Sequence, residues 1–193
     1  MSDPSDSRPE AVALEAPEDE PRQRLLVEVL HVAGDWGPVE AIQSLADAVA
    51  GEICRRLDLE APLSRACVAL SSDAAVAELN ARYRAKPKPT NVLSFPAHVD
   101  TACVEPGVRL LGDVVLARET VLAEAADVPI PLSHHLSHLL AHGLLHLLGF
   151  DHEREQEAEE MEALEVEILT TLGIADPYAG GEPDAAAPLR TSG

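Results

Sequence analysis

Hydrophobic and polar positions recur along this chain with two different periods, which predict a mixture of helices and strands. Over residues 39–57, apolar side chains recur every three or four positions, as on a helix with one buried face. Short apolar runs are instead typical of buried strands. These runs are residues 25–32, 66–70, 90–95 and 112–117. Strands that interleave with helices predict an α/β or α+β domain, in which helices pack a small mixed sheet.

Capping and helix-breaking residues predict where further helices begin and end. Ser72 can cap a helix over residues 74–82. A second helix over 118–126 precedes the segment Pro129-Ile130-Pro131, which stops it and opens a long apolar helix that runs to residue 148.

Composition predicts one folded domain between two polar ends. Residues 1–22 are rich in proline, glutamate and aspartate, so we expect a disordered acidic extension. Residues 23–178 form the expected single domain, and residues 179–193 a flexible tail. No apolar run is long enough to span a membrane, and the acidic N-terminus does not resemble a signal peptide. Three widely spaced cysteines favour a reduced, cytoplasmic protein.

The net charge of −20 opposes general affinity for polyanions, but the charges are unevenly distributed. Acidic residues crowd the N-terminal extension and residues 153–167, where apolar residues at helical spacing predict an amphipathic helix with a solvated acidic face. The only basic cluster of the sequence contains Arg82, Arg84, Lys86 and Lys88. A local positive patch can bind phosphates, although an ordinary solvated loop would explain the same composition.

Three histidines within the segment HGLLHLLGFDH predict a metal site. His142 and His146 are four residues apart and share one helix face. Gly149 can end the helix in a left-handed turn, which would bring His152 to the same point. A lone histidine is usually a core or surface residue, but three converging imidazoles with a fourth position for water are typical of a catalytic zinc site.

The histidine spacing matches the zinc-binding arrangement of metzincin proteases, with one departure. In those enzymes a glutamate general base follows the first histidine directly, and here that position is Gly143. The pattern therefore favours metal binding and disfavours peptidase chemistry.

Other polar residues are candidates for supporting roles. Asp113 or Asp151 could orient a ligand histidine through its second ring nitrogen, or could make local strand-end and turn hydrogen bonds. We expect His138, one turn before His142, to support the ligands or face the substrate, and we expect His134 and His135 to lie on the surface near the start of the helix.

Several ordered motifs resemble the YbeY family of bacterial rRNA maturation factors, which are similar to single-strand-specific metallo-endoribonucleases. The matching segments lie within residues 24–178. They are LNARYRAKPKPTNVLSFP, LLGDVVLA, HGLLHLLGFDH, and EAEEMEALEVEIL with the following LGIADPY.

The resemblance implies a cytoplasmic, zinc-dependent endoribonuclease that matures the 3′ end of small-subunit rRNA and acts in ribosome quality control. It implies one Zn²⁺ ion on His142, His146 and His152, with His142 also serving catalysis. Arg84 would bind the scissile phosphate, since a guanidinium can contact phosphate in bidentate fashion, and Lys86 a neighbouring phosphate. The expected partners are ribosomal RNA and ribosomal particles, without DNA or membranes. The alternatives are a non-catalytic zinc-containing ribosome-assembly factor and a metalloprotease.

Overall fold

The computed structural model describes residues 25–59, 63–97, 107–128 and 130–179. The predicted acidic extension over 1–22 lies outside these residues, as does the predicted tail beyond residue 179. The elements follow in the order β1 (Leu25–His31), α1 (Val39–Leu57), β2 (Leu63–Ser71), α2 (Asp73–Arg84), β3 (Val92–Pro96), β4 (Val108–Ala117), α3 (Arg118–Asp127), α4 (Leu132–Leu148) and α5 (Glu155–Thr171). Among the helices described, none has the length and apolar character needed to cross a bilayer.

The strands form one four-stranded mixed sheet in the order β1-β2-β4-β3. β1, β2 and β4 run parallel, and β3 pairs antiparallel with β4. This arrangement confirms the predicted α+β class with a small mixed sheet packed by helices.

The helices cover the two faces of the sheet unequally. α1, α4 and α5 pack on one face, where the main core includes Ile53, Val68 and Leu144. On the other face a smaller core of Val76, Leu93, Val115 and Ala117 lies beneath α2, over β3 and β4. On that second face the β1 side chains Leu26 and Leu30 remain exposed.

A side chain of α1 satisfies backbone groups on the free side of β1. Gln43 Oε1 accepts a hydrogen bond from the backbone N–H of Val29 at 2.9 Å. Gln43 Nε2 donates to the carbonyl of Val27 at 2.8 Å. The glutamine thereby fastens α1 to the strand that precedes it.

Several predicted strand boundaries are wrong. β2 and β4 begin before the predicted apolar runs over 66–70 and 112–117, because Leu63 pairs with Val108 ahead of a register shift at Arg65. Pairing between strands, rather than hydrophobicity, extends these ends. β3 begins at Val92 instead of residue 90, because Asn91 Oδ1 accepts the N–H of Val92 at 2.7 Å.

Candidate metal centre

Helix α4 approaches the sheet unusually closely at Gly143. A Cβ atom on this glycine would lie 2.7 Å from Cγ1 of Val114 in β4, a distance that real Cβ contacts do not reach. The carbonyl of Gly143 accepts a hydrogen bond from Ser94 Oγ of β3 at 3.1 Å. A glutamate side chain at position 143 would therefore collide with the sheet, so the general base of the metzincin proteases has no room in this fold.

The three predicted metal-binding histidines converge at the C-terminal part of α4, with His142 and His146 on the helix and His152 after it. Gly149 adopts φ 103° and ends the helix in the predicted left-handed turn. The ring centroid of His142 lies 4.5 Å from that of His146 and 5.5 Å from that of His152. One nitrogen from each ring lies within 4.8 Å of the others. These three side chains therefore form a group that could hold a metal ion.

His142 and His146 each donate a hydrogen bond from Nδ1, which leaves the lone pairs of their Nε2 atoms facing each other. His142 Nδ1 lies 2.9 Å from Glu165 Oε1, and His146 Nδ1 lies 3.0 Å from the carbonyl oxygen of Phe150. Because both oxygens are acceptors, each Nδ1 carries the ring proton and each Nε2 presents a lone pair. The two Nε2 atoms face each other at 3.1 Å. Two ligands of one tetrahedral zinc ion would lie about 3.3 Å apart, so this donor set fits zinc.

The protonation state of His146 also suits a metal ligand. Burial lowers the pKa of His146 most, and the neighbouring His142 and His152 lower it further; the Phe150 carbonyl and Asp151 raise it by less, so that it lies at about 4. The imidazole is therefore neutral at pH 7, as a metal ligand must be.

Glu165 of α5 is a buried carboxylate that bridges two of the histidines. It is 1% exposed. Its Oε1 accepts from His142 Nδ1, and its Oε2 accepts from His138 Nε2 at 3.0 Å and from the Tyr178 hydroxyl at 2.5 Å. Burial raises the pKa of Glu165, but hydrogen bonds from His138 and His142 outweigh burial and hold that pKa at about 2. The carboxylate is therefore ionised at neutral pH.

Glu165 is not among the predicted site residues, because the acidic residues of this helix predict a solvated face. The sequence does contain a pattern that indicates a buried glutamate. Glu165 follows Met161 by four residues and precedes Ile168 by three, and all three side chains are buried. A glutamate on the apolar stripe of an amphipathic helix needs a polar partner inside the fold.

The predicted supporting roles have mixed outcomes. His138 Nε2 lies 3.0 Å from Glu165 Oε2 and so reaches the histidine group through that carboxylate, while its expected supporting role stays a prediction. In the described part of the chain Asp113 bonds to no histidine, and Asp151 accepts the backbone N–H of His152 at 2.7 Å rather than touching its ring. The predicted surface position of His135 is wrong, because its Nε2 lies 2.8 Å from Glu124 Oε2 and only 13% of its side chain is exposed.

Arg84 lies at the end of a helix rather than in the predicted loop. α2 continues to Arg84 because the turn forms at Ala85, with φ 55°, instead of at residue 82. The guanidinium is half-buried, and burial lowers the pKa of Arg84. Among the described residues it has no carboxylate partner. Lys86, two residues further, is exposed.

The edge strand β3 connects the basic cluster to the histidine helix. The ring of Tyr83 packs edge-on against Phe95 at 5.4 Å between centroids, while the adjacent Ser94 contacts α4 at Gly143. Because neighbouring strand residues face opposite sides, α2 and α4 meet β3 from its two faces. Arg84 and the histidines thus belong to the same edge of the sheet, although their side chains do not touch within the described residues.

Comparison with known proteins identifies relatives over most of the chain. Residues 37–173 match the family model described as endoribonuclease YbeY. An endoribonuclease YbeY of Parvibaculum lavamentivorans is 50% identical over 170 residues, which cover 82% of this chain and 88% of the relative. One of Sinorhizobium medicae is 43% identical over 164 residues, which cover 81% of this chain and 96% of the relative. A solution structure of a protein from Thermotoga maritima shares 19% identity with a TM-score of 0.49, over 82% of this chain and 99% of that one.

Proposed function

The chain belongs to the endoribonuclease YbeY family, and on that basis we propose that it is a zinc-dependent hydrolase of single-stranded ribosomal RNA. The observation that carries the proposal is the convergence of His142, His146 and His152. Three protein ligands leave one position of a tetrahedral ion open for water or substrate. The catalytic domain of this proposal spans residues 23–178.

The three histidines would each hold the ion through one ring nitrogen. The chemistry that bound zinc would supply is a lower pKa of its water ligand, near 7, and polarisation of a phosphoryl oxygen. A separate protein base is then not required, which agrees with the lack of room for a side chain at Gly143.

Arg84 is the residue we propose for the scissile phosphate. Its guanidinium is partly desolvated and pairs with no carboxylate in the described part of the chain, so it is available to an anion from outside. Phosphodiester hydrolysis increases the negative charge on the phosphate oxygens, and a bidentate guanidinium contact stabilises that charge. The exposed Lys86 would contact a neighbouring phosphate as a point charge.

The ring of Tyr83 supports the choice of an unpaired strand as substrate. It is 60% exposed and directly precedes Arg84. An unpaired base can stack on such a ring, whereas a base within a duplex cannot. We further propose the family's cellular role for this chain, namely maturation of the 3′ end of small-subunit rRNA and ribosome quality control in the cytoplasm.

The test is cleavage of single-stranded ribosomal RNA by the zinc-loaded protein and three variants. We expect His146→Ala to be inactive and Arg84→Ala to be slower by about 10²–10³-fold. Arg82→Ala is the matched control, because Arg82 lies on the same helix, is exposed, and has its guanidinium over the Tyr83 ring. Equal cleavage by parent and His146→Ala would disprove a catalytic metal site. RNA binding without cleavage by any form would favour the alternative of a zinc-containing ribosome-assembly factor.

A further inference from the structure

We propose that Glu165 is a positioning residue that fixes His142 for metal binding, and that His138 and Tyr178 hold Glu165 in place for this task. The inference rests on the proposed metal site. It assigns to α5 and to the segment after it a direct part in building that site.

Glu165 determines which nitrogen of His142 faces the other histidines. Glu165 Oε1 lies 2.9 Å from His142 Nδ1 and accepts its hydrogen bond, so the ring proton of His142 stays on Nδ1. The lone pair of Nε2 then points to His146 Nε2. A carboxylate on the outer nitrogen also makes an imidazole a more basic ligand. Without Glu165, the ring could rotate or carry its proton on the nitrogen that must bind the ion.

The partners of Glu165 all belong to the surroundings of the histidine group. They are two imidazoles and a phenol, and none of the described lysines or arginines pairs with it. A carboxyl group that is only 1% exposed needs polar partners inside the fold. Both oxygens of Glu165 find these partners beside the proposed metal ligands.

His138 and Tyr178 restrain the other oxygen of the same carboxylate. Both lie on Oε2, and their rings meet edge-to-face at 5.5 Å between centroids. With both oxygens bonded, the carboxylate cannot turn away from His142. Tyr178 lies beyond α5, so the segment after the last helix takes part in orienting a metal ligand on α4.

The test is the zinc affinity of the full-length chain, measured by competition with a chromophoric chelator at neutral pH. We expect Glu165→Gln to weaken Zn²⁺ binding by about 10–100-fold. The matched control is Glu159→Gln, which makes the same change on an exposed position of α5 and should leave the affinity unchanged. Tyr178→Phe removes only a hydroxyl and should weaken binding by a smaller factor.

Nitrogen–proton correlation spectra of the metal-free protein give a second readout, because they show which ring nitrogen is protonated when no ion occupies the other. We expect His142 to carry its proton on Nδ1 in the parent and to lose this preference in Glu165→Gln. A purely structural role for Glu165 would not change the tautomer.

The outcomes separate this inference from the proposed function. A parent chain that binds no zinc would remove the metal site and the inference with it. A parent that binds zinc, with Glu165→Gln binding equally well, would overturn the inference alone and leave Glu165 as a link between two helices. If Glu165→Gln does not fold, unchanged zinc affinity in Tyr178→Phe gives the same negative answer.

Discussion

The close contact between α4 and β4 predicts a coupling between positions 143 and 114. In Gly143→Ala the new methyl group would meet Cγ1 of Val114 at 2.7 Å and Cγ2 at 3.0 Å. Val114 is fully buried and β-branched, so it cannot turn aside. Overpacking of this kind costs about 1–3 kcal/mol, whereas alanine in place of glycine within a helix gains about 1 kcal/mol. We therefore expect Gly143→Ala to leave the protein no more stable than the parent.

We expect Gly143→Ala to stabilise the protein instead when the side chain at position 114 is shortened. Val114→Ala alone should cost about 2–3 kcal/mol for lost burial and a cavity. It removes both of the valine's Cγ methyl groups, so a methyl group at position 143 fits and its helix-propensity gain of about 1 kcal/mol becomes visible. The same change at Gly143 should then stabilise the Val114→Ala protein. The difference between the two backgrounds, about 1–3 kcal/mol, is the predicted coupling.

Urea unfolding of the four metal-free proteins measures this coupling. The chain has one tryptophan, and Trp36 donates from its ring N–H to the carbonyl of Ser71 at 2.9 Å, so its fluorescence reports loss of the fold. Equal effects of Gly143→Ala in both backgrounds would refute the close packing of α4 on β4, and with it the argument that no side chain fits at position 143.

Three further predictions concern charge and metal. Burial raises the pKa of Glu52, but hydrogen bonds from Arg56 and Arg55 outweigh burial, so the pKa of Glu52 is lowered. The ionised Glu52 therefore stabilises the folded protein above pH 4.5, and this stabilisation is lost as the pH falls. Urea unfolding should therefore show that acidification lowers the free energy of unfolding less in Glu52→Gln than in the parent. An equal decrease in both proteins would contradict this. Arg84→Lys keeps the charge but loses bidentate contact, so single-turnover RNA cleavage should stay at least about 10-fold below the parent; full activity would show that charge alone suffices. Removal of zinc by a chelator should abolish cleavage and lower the thermal midpoint, since free zinc at about 100 times its Kd stabilises the fold by about 2.7 kcal/mol; an unchanged midpoint in calorimetry would argue against a bound ion.

The parts of the fold that follow from local periodicity could be predicted from the sequence. The bounds of α1 match the prediction because its apolar stripe is regular and Pro38 precedes it directly. The histidine group was predictable for the same reason, since His142 and His146 share a helix face and Gly149 supplies the turn that brings His152 back.

The remaining features depend on contacts between distant segments. The full length of β2 and β4 follows from their pairing with each other, which hydropathy does not report. Arg84 closes α2 because Ala85 is left-handed, and no glycine or asparagine marks that turn. The spatial reason for Gly143 becomes visible only where α4 crosses β4.

The two hydrogen bonds of Gln43 bear on whether the chain aggregates while it folds. β1 and the residue after it read LLVEVLHV, an apolar sequence with a single formal charge, and such segments readily pair with copies of themselves at an open sheet edge. Gln43 occupies the N–H of Val29 and the carbonyl of Val27, the groups through which a second copy would add a strand. Docking of α1 therefore protects the edge against aggregation, and loss of this glutamine would reduce the yield of folded protein before it affected any chemistry.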